Sequence, residues 1–133
     1  MLWGRRAVVT LLPTVLSLRG EAWITVAGGS MSPTVQIGER VRIVPCTHAY
    51  PGDVVLFGGG DHLLLHRVLA RLPGGRFVHA GDCPGALPGL AHERNLVGRA
   101  TLAAWRPPIR RRLHAVISTI SAALARRAAR LLA

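Results

Sequence analysis

From Ala22 to about Gly81, glycine and proline recur so closely that the runs between them are short. Those runs are rich in Val, Ile, Leu, Trp and Phe, as strands are. "EAWITVAG" predicts a first strand. "RVRIVP" alternates Arg40 and Arg42 with Val41 and Ile43, the period of two expected of a half-buried strand. "DVVLF" and "HLLLHRVLA" flank "GGGD", and "VLARL" and "RFVHA" flank "PGG", two connections with the length and freedom of hairpin loops. The centre of the chain is therefore expected to be an antiparallel, mostly β domain. No internal repeat is visible, and no low-complexity segment beyond an Arg/Ala-rich tail.

A length of 133 residues suits one domain with a modest core. The formal charge of +11 comes from seventeen basic side chains, all arginine, because the sequence contains no lysine. Residues 1–108 carry eleven Arg and all six acids, a net of +5; residues 109–133 carry six Arg and no acid, a net of +6. Such charge attracts acidic partners but does not specify a fold. Cys46 and Cys83 are too few for a disulfide framework and lack metal or redox spacing, so they read as free thiols.

Three segments follow from these patterns: an N-terminal helical segment over 1–21, a β domain over 22–106 and a basic amphipathic helix over 107–133. The start has the outline of a secretory signal, two arginines before a twelve-residue apolar run. Pro13 interrupts that run, no A-x-A site follows, and its length falls short of the roughly 20 residues that span a bilayer. A short amphipathic helix broken near Pro13, packed on the domain or lying on a membrane surface, is the plainer expectation. The implied location is cytoplasmic or peripheral to a membrane.

In the tail, Pro107-Pro108 favour a helix start, and Ile109, Leu113, Val116, Ile117, Ile120, Leu124 and Leu131 fall near one face. Arg110 to Arg112 occupy the first turn, where the helix dipole disfavours cations, so local stability does not account for them. Basic residues beside an apolar face form the pattern of interfacial membrane binding. A helix packed on the β domain with solvated arginines is the structural alternative. The sequence does not favour nucleic acid as a partner, since no interleaved aromatics or reading motif accompany the charge.

His62 and His66 would share a helical face, but on a strand four residues span about 13 Å, so no metal is expected there. His48, His79, His92 and His114 are scattered and read as solvated or locally bonded; no cofactor is implied. In "AGGSMSPTVQIGERVRIV" a serine follows two glycines. Taken alone, the stretch reads as a Gly-Gly-Ser turn before a strand. A catalytic Ser30 would need a neighbouring base and donors for the oxyanion, with Gly28 and Gly29 letting the backbone bend and a substrate approach.

"GGSMSPTVQIGERVRI", "PGDVVLF", "HRVL", "HAGD" and "LVGRA" occur in the order and spacing of the type I signal peptidase family, and about residues 22–103 resemble it. The resemblance implies a signal-peptidase/LexA-like β domain and a serine endopeptidase acting on an extended precursor or leader peptide after small residues. It places Ser30 as nucleophile, with Met31 and Pro33 completing the motif, and His66 as general base. Common bacterial members carry lysine there; endoplasmic-reticulum-type members carry histidine before Arg-Val, as here. Without lysine, proton transfer falls to Ser30 and His66. Asp82 of Gly81-Asp82 is the acid best placed to support them, because "CPGALPGLAHE" stands where histidine-type relatives carry a further aspartate. Gly28 stands where the family often has a serine donor, which leaves backbone donors for the oxyanion. A catalytically silent peptide-binding module of the same fold is the alternative; self-cleaving repressor-type relatives depend on a Ser-Lys pair that this chain cannot form.

Overall fold

The computed structural model describes residues 5–59, 62–102 and 109–132. It is mostly β, with one antiparallel sheet of seven strands and a helix at either end of the chain. Helix α1 (Arg5–Arg19) leads into β1 (Ala22–Thr25) and β2 (Arg40–Val44). Strands β3 (Val54–Gly59), β4 (His62–Leu72) and β5 (Arg76–Ala80) follow as two consecutive hairpins. Strand β6 (Gly89–His92), a 3₁₀ turn over Glu93–Asn95, β7 (Leu96–Ala100) and helix α2 (Ile109–Leu132) complete the fold. The order across the sheet is β1-β2-β7-β3-β4-β5-β6.

Both expected hairpins are present: β3 pairs with β4 from Val54↔Arg67 to Gly59↔His62, and β5 turns back on β4 over Pro73–Gly75. The tip of the "GGGD" loop, residues 60–61, lies outside the described residues. Strands β6 and β7 extend the sheet past Gly81, where the sequence reading stops. Strand β7 joins β2 to β3 in the middle of the sheet.

Alternation along the strands sends apolar residues to two faces. On one face Val41 and Ile43, Val54 and Leu56, and Ala100 pack with Met31, Val35 and helix α1. On the other, Val55, Phe57, Val68 and Phe77 enclose Ala49, with Cys46 and Leu96 at the margin. A third cluster sets Leu69, Ala70, Val78 and Ala80 against Ala115 of α2. Cys46 and Cys83 are free thiols.

Two expectations about the helices change. Helix α1 runs through Pro13 rather than breaking there. Pro13 sits on the exposed side, where water can replace the bond it cannot donate, while Leu12 and Leu16 enter the core. Helix α2 turns only part of its expected apolar face to the sheet: Val116 packs there, and the side chains of Ile109 and Leu113 lie outside the described residues. Ala115, Val116 and Thr119 make the contact, and Ile117, Ile120, Leu124 and Leu131 stay exposed, as do Arg126, Arg127 and Arg130. Among the described residues, no helix is long and apolar enough to cross a membrane.

The burial of Leu16 against the exposure of Leu18 gives a direct test that α1 belongs to the folded domain. Leu16→Ala is expected to lower unfolding free energy by about 3 kcal/mol and Leu18→Ala by less than about 0.5 kcal/mol, measured by urea denaturation.

Candidate functional site

Ser30 lies in the connection between β1 and β2. The turn is closed by Ser32 N–H donating to Gly29 O (3.1 Å) and Val35 N–H donating to Met31 O (3.0 Å). Met31 and Val35 are the apolar anchors that pin this turn to the core, leaving Ser30 and Pro33 exposed. Beside Ser30 an apolar cleft of about 260 Å³ runs along Thr25–Gly28 on one side and Leu63–Leu65 on the other, with Leu12, Ile24, Met31 and Leu56 completing its walls. Met31 therefore has two attachments, to the core and to the cleft. Pro33 lies outside it.

The expected tight bend at Gly28-Gly29 is not what these glycines supply. Neither has a positive φ, and a Cβ on Gly28 would meet nothing within 4 Å. The fold does not demand glycine at 28; its absent side chain instead leaves the cleft wall low next to Ser30.

A different glycine seats the serine. The β4–β5 register pairs Arg67 with Ala80, so one further step sets Gly81 across from His66. A Cβ on Gly81 would fall 2.2 Å from Ser30 O and 3.2 Å from Ser30 Cβ. Cys83 N–H donates to the same Ser30 carbonyl (3.1 Å). Opposed residues of an antiparallel pair have Cβ atoms about 5 Å apart, so continuing the register by this one step would put Ser30 Cβ within roughly 9 Å of His66 Cβ. His66 thus borders Ser30 through Gly81; the cleft itself ends at Leu65.

The half-buried His66 ring meets the edge of Phe57 at 6.3 Å between centroids. Burial lowers its pKa, and the charge of Asp82 partly opposes that. The neutral imidazole a general base needs is therefore favoured.

The Asp82 carboxylate is engaged elsewhere. Arg67, only 1% exposed, donates from Nε to Oδ1 (3.0 Å) and Oδ2 (3.2 Å) and from Nη2 to Oδ2 (2.8 Å). Its Nη1 donates to Gly52 O (2.8 Å), and Thr34 Oγ1 donates to Asp82 Oδ2 (2.6 Å). Asp82 thus acts on His66 through its charge, while its carboxylate forms a buried ion pair that ties β4, the turn after Ser30, the approach to β3 and the end of β5 together.

What faces His66 Nδ1 is His79 Nδ1, at 3.0 Å. His79 is 9% exposed, and burial, with the charge on protonated His66 second, pushes its pKa down to about 4. Sequence reading treated His79 as one of four scattered histidines. Its signal was the hairpin: Val68 pairs with His79, which makes His66 and His79 diagonal neighbours on one face. The other three keep to local roles or to solvent: His48 lies 3.2 Å from Glu93, His92 accepts from Arg94 N–H, and His114 is exposed.

The chain matches no family model and no curated protein. Its chemistry is therefore to be judged by this geometry.

The two glycines next to Ser30 are expected to respond oppositely to a methyl group. Gly81→Ala should destabilise the protein by about 1–3 kcal/mol, because Ser30 O blocks the added carbon. Gly28→Ala should leave the melting temperature unchanged, since its side chain enters open space. Thermal denaturation of both variants checks the pair.

Proposed function

We propose that this protein is a serine endopeptidase of the signal-peptidase type, cleaving an extended precursor or leader peptide with Ser30 as nucleophile and His66 as general base. The observation that supports the reading is the seat of Ser30 on Gly81, the residue that follows the last β4–β5 pair, Arg67↔Ala80, as His66 precedes it on β4. The Ser30 Oγ–H proton passes to His66 as Oγ attacks the scissile carbonyl, and the resulting imidazolium returns that proton to the leaving amine. Water then repeats the cycle on the acyl-enzyme. Backbone N–H groups at the turn are the available donors for the oxyanion, Gly28 having no side chain.

The surroundings suit an extended peptide. Strand β4 pairs with β3 from His62 onward, while its ladder with β5 begins only at Arg67. The outer edge of His62–Leu65 lies beyond that ladder and next to an apolar cleft, the arrangement by which a strand is added to a sheet. Alternate substrate side chains would enter that cleft.

Substrate presentation at an anionic membrane surface is the proposed role of α2. Its exposed Ile117, Ile120 and Leu124 lie on a helix whose sequence is basic at both ends. Each arginine near such a surface contributes about 1 kcal/mol, screened by salt.

Ser30→Ala and His66→Ala are each expected to reduce kcat/KM by at least about 1000-fold on a susceptible peptide, with little further loss in the double variant. The unprotonated form of His66 is active and burial lowers its pKa from 6.5. The rate should therefore rise with pH to a midpoint below 6.5 and level off above it. Asp82→Asn should act through stability, by exposing Arg67 to an unpaired burial. A profile flat from about pH 5 to 9, or a Ser30→Ala protein that binds peptide as the wild type does when neither cleaves, would favour the silent binding module instead.

The α2 role is tested by substitution, because Ala115 and Thr119 pack on the sheet and deletion would open the core. Ile120→Glu/Leu124→Glu should abolish sedimentation with anionic vesicles at low salt while leaving cleavage of a soluble peptide unchanged. Equal sedimentation of variant and wild type would make α2 a purely structural helix.

A further inference from the structure

We infer that His79 is a positioning residue, one that accepts a hydrogen bond from His66 Nδ1–H and so holds His66 in the tautomer whose Nε2 lone pair is free. The inference rests on the proposed role of His66 as base. It starts from two ring nitrogens, His66 Nδ1 and His79 Nδ1, facing each other at 3.0 Å. Two neutral imidazoles meet this way only if one nitrogen carries hydrogen and the other presents its lone pair. If His79 were the donor, His66 would carry its hydrogen on Nε2 and could take no proton from Ser30. With His66 as donor, Nε2 is bare and His79 is the Nε2–H tautomer.

The packing holds His79 in that part. Phe57 lies 4.6 Å and Phe77 6.0 Å from it between ring centroids. Gly89 on β6 gives the ring its space: a Cβ there would fall 2.7 Å from Cε1 and 2.8 Å from Nε2. His79 keeps its Nδ1 lone pair because the site resists protonating it, its pKa lying near 4. The titratable groups around the pair are His66 on β4, Asp82 beyond β5, whose charge acts on His66, and Cys46, packed at the edge of the same cluster; Phe57, Phe77 and Gly89 contribute no charge. During attack the Ser30 proton goes to His66 Nε2, and the Nδ1 proton stays on His66, hydrogen-bonded to His79. His79 gains no proton, and the charge of the imidazolium is met by a neutral acceptor.

The test uses the full chain with ¹⁵N-labelled histidine. Ring ¹⁵N shifts at pH 7.5 should show His66 protonated on Nδ1 and bare on Nε2, and His79 the reverse; the opposite tautomers overturn the inference. In kinetics, His79→Phe, which fills the aromatic pocket but offers no acceptor, should lower kcat about 100-fold with KM changed less than about twofold. His79→Asn, which restores an acceptor near the Nδ1 position, should recover most of that loss. Wild-type kcat in a folded His79→Phe protein, or an Asn variant no faster than the Phe variant, would also overturn it. If the wild type cleaves no peptide, the peptidase reading fails, and the tautomers still decide the pairing. They do so too if His79→Phe fails to fold, since they are read on the wild type.

Discussion

One irregularity in β4 decides which side chains can meet. From Leu72↔Arg76 to Ala70↔Val78 the β4–β5 pairing follows one register, and from Val68↔His79 to Arg67↔Ala80 it is displaced by a residue. The extra residue sends both Leu69 and Ala70 to the face covered by α2, where both are buried. A bulge of this kind flips the facing of everything beyond it. Without it, Arg67 and Leu69 would stand on the face of Phe77 and His79, and His66 would point the other way. With it, His66 lies beside His79, and Arg67 reaches Asp82 from the opposite face.

The Arg67–Asp82 pair then becomes the tie on which the serine turn depends. A buried ion pair gains little over apolar packing, because desolvating both charges offsets most of their attraction, but losing one partner costs about 3–5 kcal/mol. Here the residual valences are used: Gly52 O accepts from Arg67 and Thr34 donates to Asp82. Thr34 is four residues from Ser30, and Asp82 follows the glycine on which Ser30 rests. The pair thus fixes the turn and its seat against each other. The same commitment explains why Asp82 leaves His66 Nδ1 to another partner: its carboxylate is the anchor of the frame.

The strands that alternate strongly were legible in the sequence, and those interrupted by glycine were not. Val41 and Ile43 go inside and Arg40 and Arg42 stay outside or half-exposed, as the period of two requires. The hairpins followed from their turn residues. Strand β7 was missed as a strand because Gly98 weakens its pattern, and that glycine is required by contact: a Cβ would fall 2.5 Å from Ile43 Cγ2 and 2.7 Å from Val44 O. The α2 face was only partly read, Val116 correctly, because helical periodicity counts large apolar residues, whereas close packing on a sheet also selected small Ala115. At the site, Ser30 and His66 were legible as motif residues. The His66–His79 contact was not, since an error of one residue in register inverts it, and nothing in "HRVLARL" announces the bulge.

If His66 is the base proposed above, a histidine in place of a carboxylate behind it changes what it can do. A buried aspartate would raise the pKa of His66 and stabilise its imidazolium; a neutral imidazole accepts the same hydrogen bond without contributing a full charge. The lowered pKa of His66 follows from burial, with the field of Asp82 only partly restoring it. With a lowered pKa such a base is unprotonated and ready to act over a wider pH range. It is also weaker, because the proton it takes from serine is held less firmly. For the proposed peptidase this geometry would favour positioning over driving force: Gly81 seats Ser30, Gly89 seats the His79 ring, and the ion pair ties the Ser30 turn to the end of β5, so that alignment set before a substrate arrives would offset what the neutral pair lacks in charge.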